Sequence, residues 1–140
     1  MTAKEYLGQA YRIDQRINSK MEQVAALRSL ATKATAILSD MPRGNTHTGN
    51  DNIIVKIMDF ENEIKAEIKS LVGLKHELSK VIQSIPNTEQ RVLLELRYLC
   101  FKPWEQIAVE MGYSIQHTYR IHTKALKEIY KKIKDESKCD

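Results

Sequence analysis

A chain of 140 residues that is 42% apolar and 29% charged is too apolar for a disordered segment, and its 5 glycines and 3 prolines are too few for an all-β domain. Its net charge of +4 and pI near 9.0 permit a polyanionic partner. No apolar run approaches the ~20 residues that span a bilayer, and the opening MTAKEYLGQAYRIDQ lacks the apolar core of a secretory leader, so neither a membrane partner nor export is expected.

Residues 3–39 carry apolar side chains at steps of three and four: Leu7, Ala10, Ile13, Ile17, Met21, Val24, Leu27, Ala31, Ala34 and Leu38. That spacing predicts one face of a long helix. Ser39 to Asn52, SDMPRGNTHTGNDN, is rich in Gly, Asn, Ser and Thr around Pro42 and predicts a loop holding a solvated His47. A second ladder follows, with Ile54, Ile57, Phe60, Ile64, Ile68, Leu71, Leu74, Leu78, Val81 and Ile85, capped by Asp51 or Asn52 and closed by Pro86. Two helices of roughly 50 Å, at 1.5 Å per residue, each with one narrow apolar stripe, predict an antiparallel hairpin that self-associates or recruits another helix. Gly73, inside the second ladder, marks either a close crossing or a neutral surface position.

From Thr88 the periods shorten. Asn87 or Thr88 caps a third helix that turns Val92, Leu93, Leu96, Leu99 and Cys100 inward. Phe101-Lys102-Pro103 ends it, and Pro103 starts a fourth helix from Trp104 to Met111 with Ile107, Ala108 and Met111 inside. Gly112 offers the left-handed residue that ends this helix, and Ser114 the cap that starts the next. The last helix, Ile115 to about Lys134, buries Ile115, Thr118, Ile121, Ala125, Leu126 and Ile129 before a fraying tail. The organisation expected is an all-α chain: a long antiparallel helical hairpin, or coiled-coil arm, at 1–86 with its loop at 39–52, a three-helix helix-turn-helix module at 87–134, and a polar tail at 135–140.

A break of so few residues forces the last two helices to cross steeply, the arrangement that suits a DNA major groove. Between Gly112 and Lys134, Arg120, Lys124, Lys127, Lys131, Lys132 and Lys134 stand against Glu128 alone, a local +5 that exceeds the whole chain's +4. Phosphate contacts need such an excess. The DNA-binding set is therefore Ser114, Gln116, His117, Tyr119, Arg120, Thr123, Lys124 and Lys127, with Gln and Arg suited to adenine and guanine edges and the lysines to phosphate. His122 is expected as a further surface donor, and Trp104 as a plug of the module's core. Two cysteines, Cys100 read as a small buried thiol and Cys139 as a free tail thiol, make neither a disulfide framework nor a zinc site. No metal, cofactor or enzyme motif is present, and Glu61 and Glu63, two apart, point to different helix faces.

The stretch PWEQIAVEMGYSIQHTYRIHTKALKEI resembles region 4 of bacterial sigma factors, on Glu105, Ile107, Gly112, Ser114 and the run Ile121-x-x-Lys124-Ala125-Leu126; RVLLELRYLCF resembles the helix that opens that region. The whole chain, with YRIDQRINSKMEQVAALRSLATKATAILSDMPRG as its telling stretch, resembles a phage and prophage family of unknown function, the ArpU-like phage transcriptional regulators. The expected partners are double-stranded DNA, from the turn chemistry and local charge, and host RNA polymerase, from the sigma-like surface; the few base contacts of a single module favour a homo-oligomer, a dimer first, and the two cysteines fit the reducing cytoplasm of a bacterial host. The promoter readout of sigma factors is not implied, because the Arg-Glu pair that opens their recognition helix and the Arg one turn on are replaced here by Ile115, Gln116 and Tyr119. Nothing resembles the promoter-melting part of a sigma factor. Two competing readings keep the same surface: a packaging protein similar to small terminase subunits, and a protein-interaction module that docks RNA polymerase.

Overall fold

The computed structural model describes residues 1–38 and 47–138. The described residues contain no strand, and the chain is all-α. In order come α1 (Ala3–Leu7), α2 (Gln9–Leu38), α3 (His47–Gln83), α4 (Thr88–Leu94), a π turn (Glu95–Leu99), α5 (Trp104–Met111) and α6 (Ile115–Lys138). Among the described residues no helix is long and apolar enough to cross a membrane.

Two compact units divide the chain: Met1–Arg12 with Leu71–Asp140, and Ile13–Ser70. The first unit has one aliphatic core. Leu7 and Ala10 from the N-terminal segment, Leu78 and Ile82 from α3, Ile85 just beyond it, Leu93 and Leu94 from α4, Ile107 from α5, and Ala125 and Ile129 from α6 are all buried. The N-terminal residues thus join the C-terminal module, with α1 packed on α6. A capping box starts α1: the Glu5 N–H donates to Thr2 Oγ1 at 3.1 Å, and the Thr2 N–H donates to Glu5 Oε2 at 3.3 Å. The helix expected to run unbroken from residue 3 is interrupted at Gly8, which caps α1 by donating to Lys4 O at 2.9 Å.

In the second unit, ion pairs fix the direction of α2 against α3. Arg16 meets Glu67 at 3.3 Å, Lys20 meets Glu67 at 3.2 Å and Glu63 at 3.4 Å, and Arg28 pairs with Glu61. Partners on α3 descend as those on α2 rise, so the two helices run antiparallel. Ile17, Val24 and Ile57 are buried along the seam. Met21, Ile54 and Ile68, expected inside, are exposed, because a seam between two helices covers one side of each and leaves the flanks of the stripe open.

Several expectations are corrected. The loop expected at 39–52 gives way at its far end to helix from His47; residues 39–46 lie outside those described. Each residue added to an existing helix gains a backbone bond, which outweighs the weak local preferences of Asn and Gly. The inward set of α4 also shifts. Cys100 is exposed and so is Val92, while Leu94 and Tyr98 are buried. The cause is the π turn: the Cys100 N–H donates to Glu95 O, five residues back, at 3.0 Å. The extra residue in that turn rotates everything after it, so Tyr98 takes the inward place that a regular helix would have given to its neighbours. The tail expected to fray from 135 is helical to Lys138, with Cys139 outside the described residues.

Two glycines should respond oppositely to Ala. Gly112 sits at φ 74°, so Gly112→Ala should destabilise the protein by about 1–2 kcal/mol. Gly73 lies mid-helix with open space where a Cβ would stand, which rules out the close crossing, so Gly73→Ala should stabilise by up to about 1 kcal/mol. Urea midpoints of the two variants measure both shifts.

Candidate nucleic-acid interface

The turn between α5 and α6 is built from backbone bonds. At the end of α5 the Tyr113 N–H donates to Ala108 O at 3.0 Å and the Gly112 N–H to Val109 O at 3.2 Å, a Schellman closure around the left-handed Gly112. Ser114 then caps α6, its Oγ accepting from the His117 N–H at 3.2 Å. The Tyr113 hydroxyl donates to the Glu89 carboxylate in the first turn of α4, and this hydrogen bond raises the tyrosine's pKa. The Tyr113 ring also meets His117 edge-on, with centroids 4.5 Å apart. The residues that shape the turn are thus tied to both the preceding and the following helices.

From Ser114 onward α6 divides cleanly. Thr118, Ile121, His122, Ala125 and Ile129 are buried. Ser114, Gln116, His117, Tyr119, Arg120, Thr123, Lys124 and Lys127 are all exposed. Gln116, Arg120, Thr123 and Lys127, spaced by four, three and four, lie on one outward stripe, and Tyr119 and Lys124 flank it. Some of these groups already have local duties. The Ser114 Oγ is the cap, and the Thr123 hydroxyl donates back to Tyr119 O at 3.0 Å. Tyr119 is 44% exposed while its ring packs edge-on against Trp104 at 5.1 Å, so it belongs to both the surface and the layer beneath it.

That layer corrects the reading of His122. It is not a surface donor: it is 8% exposed, its Nε2 lies 2.6 Å from the Tyr98 hydroxyl, and it packs against Trp104 at 4.5 Å. Burial, with further contributions from Lys4 and Arg97, pushes its pKa down to about 4. Burial likewise pushes Tyr98 up to about 12. Both rings are therefore neutral at pH 7, and their mutual hydrogen bond satisfies two polar groups that would otherwise be stranded in the core. Arg97 completes the cluster, stacking over Trp104 at 4.7 Å and donating to Lys102 O at 3.0 Å across the loop before α5. Trp104 is thus held by Arg97, Tyr119 and His122, but it is only half-buried and sits at the edge of the core instead of plugging it.

A feature not anticipated from sequence is a groove of about 950 Å³ beside α6, where Thr2 and Lys4 face Lys124, Lys127, Lys131 and Lys134. Lys4 extends the cationic run of α6 with a residue more than a hundred positions away. The Thr2-x-x-Glu5 capping signature was the available clue to a short N-terminal helix, but nothing in it says where that helix packs.

The buried histidine has a measurable consequence. In the unfolded chain its pKa is about 6.5, so between pH ~6.5 and ~4 the unfolded state holds a proton that the folded state refuses. Stability from this group is present above that window and is lost as the pH falls through it, by at most about 3 kcal/mol. Urea unfolding at pH 7, 5.5 and 4.5 should show this slope, and His122→Phe should flatten it relative to the parent. Tyr98→Phe should cost about 1–3 kcal/mol at pH 7, because the His122 Nε2 is left buried without its partner.

Searches of curated proteins and of solved structures each returned no significant match. A family model described as "Protein of unknown function (DUF1492)" matches residues 31–130, from the last part of α2 through most of α6, including the π turn, the Gly112–Ser114 turn and the whole outward stripe. With well over half its length matched, the chain belongs to the DUF1492 family.

Proposed function

We propose that this protein is a sequence-specific, double-stranded DNA-binding transcriptional regulator of phage or prophage type, reading its site through the outer face of α6 and self-associating through the α2–α3 arm. The observation that carries this reading is the division of α6: a core stripe anchors the helix while Gln116, Tyr119, Arg120, Lys124 and Lys127 stand exposed in its first turns, immediately after a Schellman–serine turn. Helix-turn-helix proteins reach base edges from this part of the second helix. Gln116 and Arg120 have the donor and acceptor sets for adenine and guanine, and Lys124 and Lys127 lie where phosphates flank the groove. The five lysines of the α1–α6 groove outnumber its two carboxylates, Glu128 and Asp135, and extend the same positive field.

Two other uses of the surface differ in their observables. A packaging protein would form a ring-sized oligomer. A polymerase-docking module would bind protein with a modest salt dependence, whereas phosphate contacts make log affinity fall linearly with log salt.

Selection from a random duplex pool at physiological salt should enrich one motif. Gln116→Ala with Arg120→Ala should erase preference for that motif, at about 1–3 kcal/mol per lost base contact, while the far-ultraviolet circular dichroism stays unchanged. Lys124→Ala with Lys127→Ala should weaken all duplexes alike and reduce the salt slope by about 2. Full selectivity retained in the Gln116/Arg120 double variant would remove the basis of the assignment.

A further inference from the structure

The seam between α2 and α3 leaves a second stripe of α3 uncovered. Ile54, Met58, Glu61, Lys65, Ile68 and Val72 follow one another by alternating steps of four and three, the spacing of a coiled-coil seam. The apolar members are open: Ile54 is 49% exposed, Met58 56%, Ile68 44% and Val72 64%. Singly exposed apolar residues need no explanation, but four in heptad register on one helix face do.

The order of residues along this stripe is self-complementary. Glu61 and Lys65, Met58 and Ile68, and Ile54 and Val72 share one midpoint, position 63. A two-fold axis there lays a second α3 antiparallel on the first, with Glu61 facing Lys65 of the other copy, Met58 facing Ile68, and Ile54 facing Val72. The pairing is isologous, so every contact occurs twice. A parallel alignment would set Glu61 on Glu61 and Lys65 on Lys65, two like-charge contacts at the centre. Level with the midpoint, a groove of about 300 Å³ is lined by Met21, Val24 and Ile64 and rimmed by Glu61 and Lys65. Met21, 54% exposed, gives that groove an adaptable apolar wall.

We infer that the arm is a homodimerisation element in which the Ile54–Val72 stripe of α3 pairs antiparallel with the same stripe of a second copy, with reciprocal Glu61–Lys65 contacts choosing the register. This rests on the self-association in the proposed function and gives it a surface and an orientation. The partner is a second copy because the charges and apolar residues match their own reversed order. The Glu61 carboxylate already pairs with Arg28 of its own chain, and its outer lone pairs accept a second cation.

Charge exchange tests the register in the full-length protein. Glu61→Lys alone opposes two lysines across the axis, and Lys65→Glu alone opposes two glutamates. Each should raise the dimer dissociation constant by about tenfold in sedimentation velocity. An equimolar mixture of the two variants restores opposite charges at both contacts and should return the dimer. In a background with Cys100→Ser and Cys139→Ser, Met58→Cys mixed with Ile68→Cys should form an intermolecular disulfide that neither variant forms alone. A wild-type protein that stays monomeric, single variants that remain fully dimeric, a mixture that stays apart, or Met58→Cys cross-linking to itself each overturns the inference. Binding of a single half-site duplex by the charge variants is read separately. Its retention alongside any of those results leaves the DNA-binding reading standing, and its loss in the Gln116/Arg120 variant leaves the arm pairing standing.

Discussion

Gly112 and Ser114 hold two incompatible backbone demands within three residues, and the rest of the C-terminal module is arranged around meeting both. Gly112, at φ 74°, lets the last carbonyls of α5 find donors in the residues that leave the helix. Ser114 then supplies an acceptor for one of the first orphan N–H groups of α6. The position of that cap sets the phase of α6. A start displaced by one residue would rotate the helix by about 100° and turn the Thr118–Ala125 stripe out of the core. The identity of the outward face therefore follows from a local turn, and the core beneath it enforces the choice.

The enforcement is partly polar. A histidine and a tyrosine in the core would each be costly alone, and together they satisfy one another. Because the hydrogen bond joins the π turn to the middle of α6, it specifies an alignment that aliphatic packing alone leaves free. Trp104 closes the triangle from α5, with its face stacked by Arg97 and its edges meeting Tyr119 and His122. Tyr119 belongs to this cluster and also flanks the outer stripe, so the exposed surface of α6 is braced from within near its start.

What could be read in advance follows the range of the interaction. The two long ladders, the Gly112 turn and the Ser114 cap are local, with their causes lying within a few residues, and they were legible as such. The π turn was not: an added residue leaves no mark on a 3.6 period, and its effect, Tyr98 inward and Cys100 outward, emerges only when α4 meets α6. His122 misled for the same reason, since a histidine between Ile121 and Thr123 has the composition of a surface and acquires its partner from 24 residues upstream. The join between the N-terminal segment and α6 is longer in range still. Helix starts carry sequence signatures; helix docking sites do not.

The arm poses a problem of specificity. Its ion pairs have a fixed polarity: Arg16, Lys20 and Arg28 come from α2, and Glu61, Glu63 and Glu67 from α3. Exposed pairs of this kind add little stability each, but slipping the hairpin by a turn would bring unmatched charges together, so they act mainly to exclude wrong registers. The same pairs change how α3 presents itself. Its three glutamates in this stretch each pair with a cation of α2. What then remains on the uncovered side of α3 is an apolar stripe interrupted at its midpoint by one acid and one base.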